Sequence, residues 1–579
     1  MTPASSNAPV PTSSLRHLAA AAATLLLVSS GARAAPPGPP DVIYLDGKIV
    51  TLDARGSIAS AVAVKDGRLL AVGTTDEMRK LAGPATRMVN LLGKTVIPGL
   101  VDAHSHPVPT MVFTHSADGR APGVPSVAKA VQNLADRARS TPRGQWIFLV
   151  GASASQTKFA EKRLPSRAEL DRAAPDNPVW FWNGTHGEVV NSRALAELGV
   201  TKAHPSLPHG GQVILDAQGE PTGEMFEAEG NAPAVDTPQL VDAWLRKHIP
   251  ALWNSHGVTT LEGMFRVDEA AVLRQVAASG FRPTVRYVSF AYAEPNGIGL
   301  PRDLGELRMP AGASPDFFRT GGVKLWVDGE VDAGSGLCSQ AYADPTGVPN
   351  AGRGLQVSTQ AQVDDFADRA SAAGLGAGIH ATCDAAYDFA LSAFQKVAAK
   401  GRPRTLQRME HYGQFMGLSP EQEKIVKALG LRVVTQPSWL LFLGRATYHL
   451  LGEPRASTGF RYGSMVKSGL MPAGSSDTTG VYLQAIDPFL SMKTAVTRQS
   501  DLGVIQPGEA LSVEDALRMW TIWGARSLDL ERDRGSLEPG KLADMVVISD
   551  DILTLPAARI DTVRVLQTIV GGEVVYRGK

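Results

Sequence analysis

Val96-Ile97-Pro98-Gly99-Leu100-Val101-Asp102-Ala103-His104-Ser105-His106-Pro107 is the stretch whose reading decides the fold. An apolar run turns at Pro98-Gly99, resumes for a few residues and delivers two histidines spaced i, i+2. On a strand that spacing points both side chains to one side. His104 and His106 therefore aim two imidazoles into one cavity from the end of a strand. Neutral imidazole is the commonest protein metal ligand and suits zinc. Two histidines on a surface loop would satisfy the same stretch, so the rest of the chain has to decide.

Downstream, strand-like runs recur at 95–102, 257–262, 284–290, 322–327, 375–380, 405–410, 431–436 and 469–475. Helix-forming, amphipathic stretches such as 359–373 and 420–429 lie between them. About eight β/α repeats predict an α/β fold, a (β/α)8 TIM-type barrel over 96–530. Residues 107–250 separate the first two barrel strands by far more than a βα unit needs. They contain the strand-like "QWIFLVGAS" and "PVWFWNGTHGEVV" and a hairpin, "GGQVILDAQGEPTGEMF". We read an inserted subdomain at about 108–250 on the C-terminal face of the barrel, where insertions form substrate walls. Residues 41–92 are β-rich, broken at Asp46-Gly47 and Asp66-Gly67, and "ADMVVIS" and "VLQTIVGGEVVYRG" repeat the pattern near the C-terminus. Neither end is large enough for its own core, which predicts one composite β-sandwich domain from 35–95 and 531–579. Ser512 to Leu530 reads as one helix opened by Ser512 and Asp515.

The 579 residues are 44% hydrophobic and 20% charged, with 57 basic and 57 acidic side chains. That balance argues against a nucleic-acid partner met through a basic surface. Arg16 precedes the apolar run Leu18 to Val28, and Ala32-Arg33-Ala34 follows as an A-x-A cleavage pattern. The run is too short for a bilayer, which takes about 20 residues. It predicts a signal peptide over 1–34, export to a periplasm or the medium, and no membrane span. Cys338 and Cys383 are the only cysteines, too few for a disulfide framework, so they are free or form one bridge.

Barrel enzymes do their chemistry at the C-terminal ends of the strands. Those ends hold His104 and His106, Lys324 in "GGVKLWVDG", His380, His411 in "RMEH", and Asp477 in "LMPAGSSD". Each has a structural alternative taken singly, but together in barrel order they point to a metal site. The motifs "PGLVDAHSH", "THGEVVNSRAL", "GEPTGEM", "HGVTTLEG", "VKLWVDG", "RMEH", "QPSW" and "DPFLSMKTAVTR", closed by "GSLEPGKLADMVVIS", resemble the amidohydrolase superfamily. More narrowly they resemble its YtcJ-like branch, which includes N-substituted formamide deformylases. The resemblance runs from Asp41 to the C-terminus.

It implies that His104, His106, Lys324, His380, His411 and Asp477 form the site for one or two divalent ions, zinc first. A protonated lysine cannot ligate, so Lys324 would be N6-carboxylated to bridge two ions. The metal would lower the pKa of bound water towards about 7. Asp477 would take the proton and pass it to the leaving amine. His186, in the motif of the inserted segment, would help to stabilise the oxyanion. Trp326, Asp328, Cys383, Asp384, Gln436 and Trp439 are candidate pocket residues, with Phe442 a further aromatic. The branch often has Gly-Asp where this chain has Cys383-Asp384, and glycine where it has Ser476, followed here by Thr478 and Thr479; these departures bear on pocket shape.

The expected function is an exported metal-dependent hydrolase of an amide, N-acyl, N-formyl or carbamate-like C–N bond in a small molecule, with homo-oligomers common for such barrels. The same site would also serve lactone or cyclic-amide opening or deamination. A binding or regulatory protein on the same fold is the reading from another class, but no ligand is missing. A serine hydrolase is disfavoured because no G-x-S-x-G elbow is present.

Overall fold

Eight parallel strands pair in chain order. They are β1 (Leu100–Asp102), β2 (Val258–Arg266), β3 (Arg286–Tyr292), β4 (Phe318–Trp326), β5 (Gly376–His380), β6 (Gln407–Glu410), β7 (Arg432–Thr435) and β8 (Ala473–Gly474). This is the architecture of the computed structural model, which describes residues 38–234, 236–293, 299–345, 348–402 and 404–578. The expected signal peptide at 1–34 lies outside the described residues. The strands are largely buried on both faces, as parallel strands sheathed by helices must be, with β4 half-buried only at residues 319–321. At the contact of β4 and β5, a Cβ on Gly322 would lie 2.2 Å from Gly376 O, so only glycine permits the approach.

β8 keeps just two of the expected residues, and its seam with β1 is held largely by a side chain. The Asp102 carboxylate accepts from Ser476 N at 2.9 Å and Ser476 Oγ at 2.6 Å, while Asp477 N donates to His104 O at 2.8 Å. The flanking helices carry clear start and stop signals. Thr359 and Gln362 form a capping box for the helix Gln360–Ala372. Ser419 and Gln422 do so for Pro420–Leu429, which ends at the left-handed Gly430. The single helix expected over Ser512 to Leu530 is two, Val513–Met519 and Ile522–Arg526, because Thr521 breaks from helical geometry at φ −131°, ψ −98°. Trp520 and Trp523 are buried there as packing residues.

Strands from both ends of the chain share one sheet, in which Met545–Ile548 pairs with Thr95–Pro98, itself beside Lys48–Val50. A second sheet, built around Val42–Leu45 and Ala61–Lys65, closes over it on a common core that includes Tyr44, Val62, Met545 and Ile569. Arg286 of β3 reaches this layer through a two-pronged pair with Asp544, at 2.7 Å for each prong, both side chains almost fully buried. Between β1 and β2 lies a six-stranded sheet, its hairpin formed by Gln212–Leu215 and Pro221–Phe226.

Cys338 and Cys383 form a disulfide joining the segments that follow β4 and β5, 45 residues apart in sequence. Closing a loop of that length restricts the unfolded chain by about 4 kcal/mol at 25 °C in the chain-entropy picture. Replacing both cysteines by serine is therefore expected to lower the unfolding free energy by several kcal/mol, read as a shift in urea midpoint. An unchanged midpoint would show that the bridge adds nothing to stability.

Candidate active site

Two of the converging side chains stand on left-handed backbone, at φ +64° for His411 and +44° for Asp477. Non-glycine residues rarely adopt this conformation, and hydrogen bonds from His411 N to Val434 O (3.0 Å) and from Asp477 N to His104 O (2.8 Å) hold it. The kink at each strand end turns the side chain inward over the barrel mouth. Asp477 Oδ1 lies 3.3 Å from both His104 Nε2 and His106 Nε2, and its Oδ2 lies 3.5 Å from His411 Nδ1. The His380 ring is 4.6 Å from that of His411 between centroids. Lys324 Nζ is buried without a hydrogen-bond partner, 5.0 Å from the centre of the Trp326 ring.

Outer residues fix these groups. Glu410 accepts from His104 Nδ1 at 2.8 Å and is paired with Arg408, whose guanidinium also donates to Ala103 O. Burial works against the Glu410 charge, but Arg408 and His104 hold its carboxyl far below the usual range. Gln436 Oε1 sits 2.9 Å from His411 Nδ1, and Trp439 stacks on that imidazole at 5.4 Å. His380 Nε2 lies 3.1 Å from Gly329 O.

Burial pushes His106 down to about 4 and His411 to about 3, and it carries His380 well below its ordinary value, which leaves these three imidazoles neutral. At His104 burial and Lys324 also oppose charge, but Asp477 and Glu410 override them and raise it to about 9. With Nδ1 engaged by Glu410, His104 Nε2 is buried without a hydrogen-bond partner and faces Asp477. Two imidazole nitrogens converging on one carboxylate oxygen, in a position that attracts positive charge, fit a divalent cation. His104, His106 and Asp477 each bring one ligand atom within 4.8 Å of the others.

A cavity of about 720 Å³ opens above this cluster, lined by His106, Lys324, His380, His411 and Asp477 and by aromatic side chains including Phe148, Trp182, Tyr292, Trp326, Trp439 and Tyr482. Trp326 and Trp439 thus sit where the motif reading put them. Phe442 is partly buried, stacked at 4.5 Å on Tyr482. Asp328, Cys383, Asp384 and Gln436 do not belong to the lining, which corrects their assignment as pocket residues. Asp328 accepts from Leu337 N, Thr382 N and Thr382 Oγ1. Cys383 is in the disulfide, Asp384 is bonded to Ser339, and Gln436 is taken by His411 and Ser475.

His186 lines the cavity, but both its nitrogens are engaged, Nδ1 with Glu227 Oε2 at 2.9 Å and Nε2 with Glu330 Oε2 at 3.0 Å. Although burial disfavours its charge, these carboxylates raise it well above its ordinary value. It therefore has no free donor for an oxyanion, which corrects that expectation. The motif reading missed Glu227, Glu330 and Glu410. Glu410 stands in "RMEH" beside His411, and Glu330 directly follows "VKLWVDG"; an acidic residue so placed was the available signal.

Residues 87–576 match the amidohydrolase family. The chain is 28% identical to the N-substituted formamide deformylase of Arthrobacter pascens over 93% of this chain and 98% of that protein. It is 26% identical to YtcJ of Bacillus subtilis over 92% and 99%. The crystal structure of an uncharacterized metal-dependent hydrolase from Pyrococcus horikoshii superposes with a TM-score of 0.68 at 24% identity, covering 89% of this chain and 99% of that one.

Proposed function

Because the chain belongs to the amidohydrolase family and is a metal-dependent hydrolase acting on C–N bonds of small molecules, we propose that it cleaves an N-formyl, N-acyl or carbamate-like bond at the His104–His106–Asp477 cluster. The observation that carries this reading is the meeting of two imidazole nitrogens on Asp477 Oδ1, 3.3 Å from each, at the floor of an aromatic cavity. His104, His106, His380, His411, Asp477 and a carboxylated Lys324 would hold one or two ions, zinc being the best match for nitrogen and oxygen donors. A divalent ion held there would supply Lewis acidity, lowering the pKa of water towards neutrality and polarising a carbonyl.

The chain's own groups do the rest. Asp477 takes a proton at its carboxylate and returns it to the departing nitrogen. Glu410, on Nδ1 of His104, sets that ring's tautomer and direction. Burial lowers Lys324, favouring the neutral amine that adds to CO2 with loss of a proton to give the carbamate. Trp326, Trp439 and Tyr292 give an apolar wall for the substituent on nitrogen. The disulfide suits an oxidising compartment and supports export of the chain. No described helix is long and apolar enough to cross a membrane.

The test is metal content of the purified protein together with amine release from a panel of formamides, acylamines and carbamates. One or two ions per chain, with turnover that a chelator removes and zinc or manganese restores, is the expected result. A protein that binds no metal and stays inactive after reconstitution would overturn the hydrolase reading.

A further inference from the structure

Glu330 is 5% exposed and follows β4 into the cavity wall. One of its oxygens, Oε2, lies 3.0 Å from His186 Nε2; the other, Oε1, is buried and has no hydrogen-bond partner. The contacts behind it form a closed ring. His186 is held from its far side by Glu227, whose Oε1 accepts from Ser335 Oγ at 2.6 Å, and Ser335 Oγ in turn accepts from Glu330 N at 2.9 Å. This closed ring holds Oε2 on His186 and leaves Oε1 without a donor from the protein. A buried acceptor left without a donor costs about 1–3 kcal/mol, and more when it is charged.

We propose that Glu330 Oε1 accepts the N–H of the scissile nitrogen in the intact substrate, so that a hydrogen on that nitrogen is a requirement of this site. The inference rests on the C–N hydrolase reading and narrows it to secondary amides, formamides and carbamates over esters and N,N-disubstituted amides. Burial disfavours the charge on Glu330 and the His186 cation on its other oxygen favours it, so a donor brought to Oε1 by a ligand joins His186 in holding the anion. A site that hydrogen-bonds a substrate N–H rejects an analogue lacking it far more strongly than an apolar pocket rejects a missing methylene.

Glu330→Gln inverts the polarity of this atom. Its side-chain oxygen stays on His186, and its NH2 then faces the cavity as a donor. The experiment compares kcat/KM for N-phenethylformamide and phenethyl formate in metal-loaded wild type and Glu330→Gln, and titrates phenethylamine and the donor-less methyl phenethyl ether into both proteins by calorimetry. The amide-to-ester ratio is expected to fall at least tenfold in the variant, and the affinity ratio of amine to ether to fall with it. Glu330→Ala gives the same comparison should the glutamine variant not fold. Ratios that stay constant while all rates drop together would make Glu330 merely structural and overturn the proposal. If wild type turns over neither compound nor any member of the amide panel, the hydrolase reading itself fails. Turnover with unmoved ratios fails the Glu330 assignment alone.

Discussion

Asp477→Asn is expected to lower kcat by about 10³-fold, within the range that a positioned proton acceptor contributes. Asparagine keeps the shape of aspartate and is one of the few side chains at ease at φ +44°, so the backbone kink over the barrel mouth survives. The change removes the anionic oxygen on which His104 and His106 converge and with it the capacity to take a proton. It also removes one of the two carboxylates that favour charge on His104. Single-turnover kinetics alongside metal analysis separate the two duties of the residue. Retained metal with lost chemistry assigns the proton transfer; metal lost together with activity makes Asp477 a ligand first. Activity within a few-fold of wild type would remove Asp477 from the mechanism.

The ligand cluster was legible because every member but one lies at or beside the end of a parallel strand, where an apolar run stops and a polar side chain is conspicuous. His104 and His106 stood out as a histidine pair closing an apolar run, and His380 and His411 needed only the end of such a run. The expected strand period does not place the first pair, because β1 ends at Asp102 and both stand beyond it. Lys324, inside β4, stood out as a charge within an apolar strand. Alternation fails once the chain leaves the strand. Trp326, the last residue of β4, faces the cavity, whereas Asp328 turns into the protein to gather the N–H groups of Leu337 and Thr382. The same holds for Cys383 and Asp384 after β5, whose partners Cys338 and Ser339 are 45 residues away in sequence. The engagement of His186 depends on contacts with Glu227 and Glu330, the first from the inserted segment and the second from the barrel. No local pattern carries such a pairing. β8 is shorter than its apolar run predicts because the chain beyond Gly474 is held against the end of β1 by the Asp102 carboxylate and by two backbone bonds, Asp477 N to His104 O and His106 N to Thr478 O, that form no regular ladder.

Lys324→Met is expected to separate stability from function more sharply than any other substitution in the site. In the metal-free fold the Lys324 amine is buried with no hydrogen-bond partner and lowered by that burial. Methionine has nearly the same length, has no donor to leave unsatisfied, and keeps a favourable contact with an aromatic ring in place of the ammonium at 5.0 Å from Trp326. The metal-free variant should therefore unfold no more easily than wild type, and by up to about 1–3 kcal/mol less easily, the cost of an unpartnered buried polar group. Activity should fall by about 10³-fold or more, because the carbamate that would bridge two ions cannot form, and the bound metal should drop to at most one ion per chain. Any gain in wild-type activity from bicarbonate during metal loading should vanish in the variant. This opposition between a better-packed core and a lost site is expected where a chain keeps a strained polar group for chemistry. Melting of the metal-free proteins, metal analysis and the bicarbonate comparison read the three effects separately. A variant that keeps two ions and its turnover would show that Lys324 is a packing residue and that the site works without a carbamate.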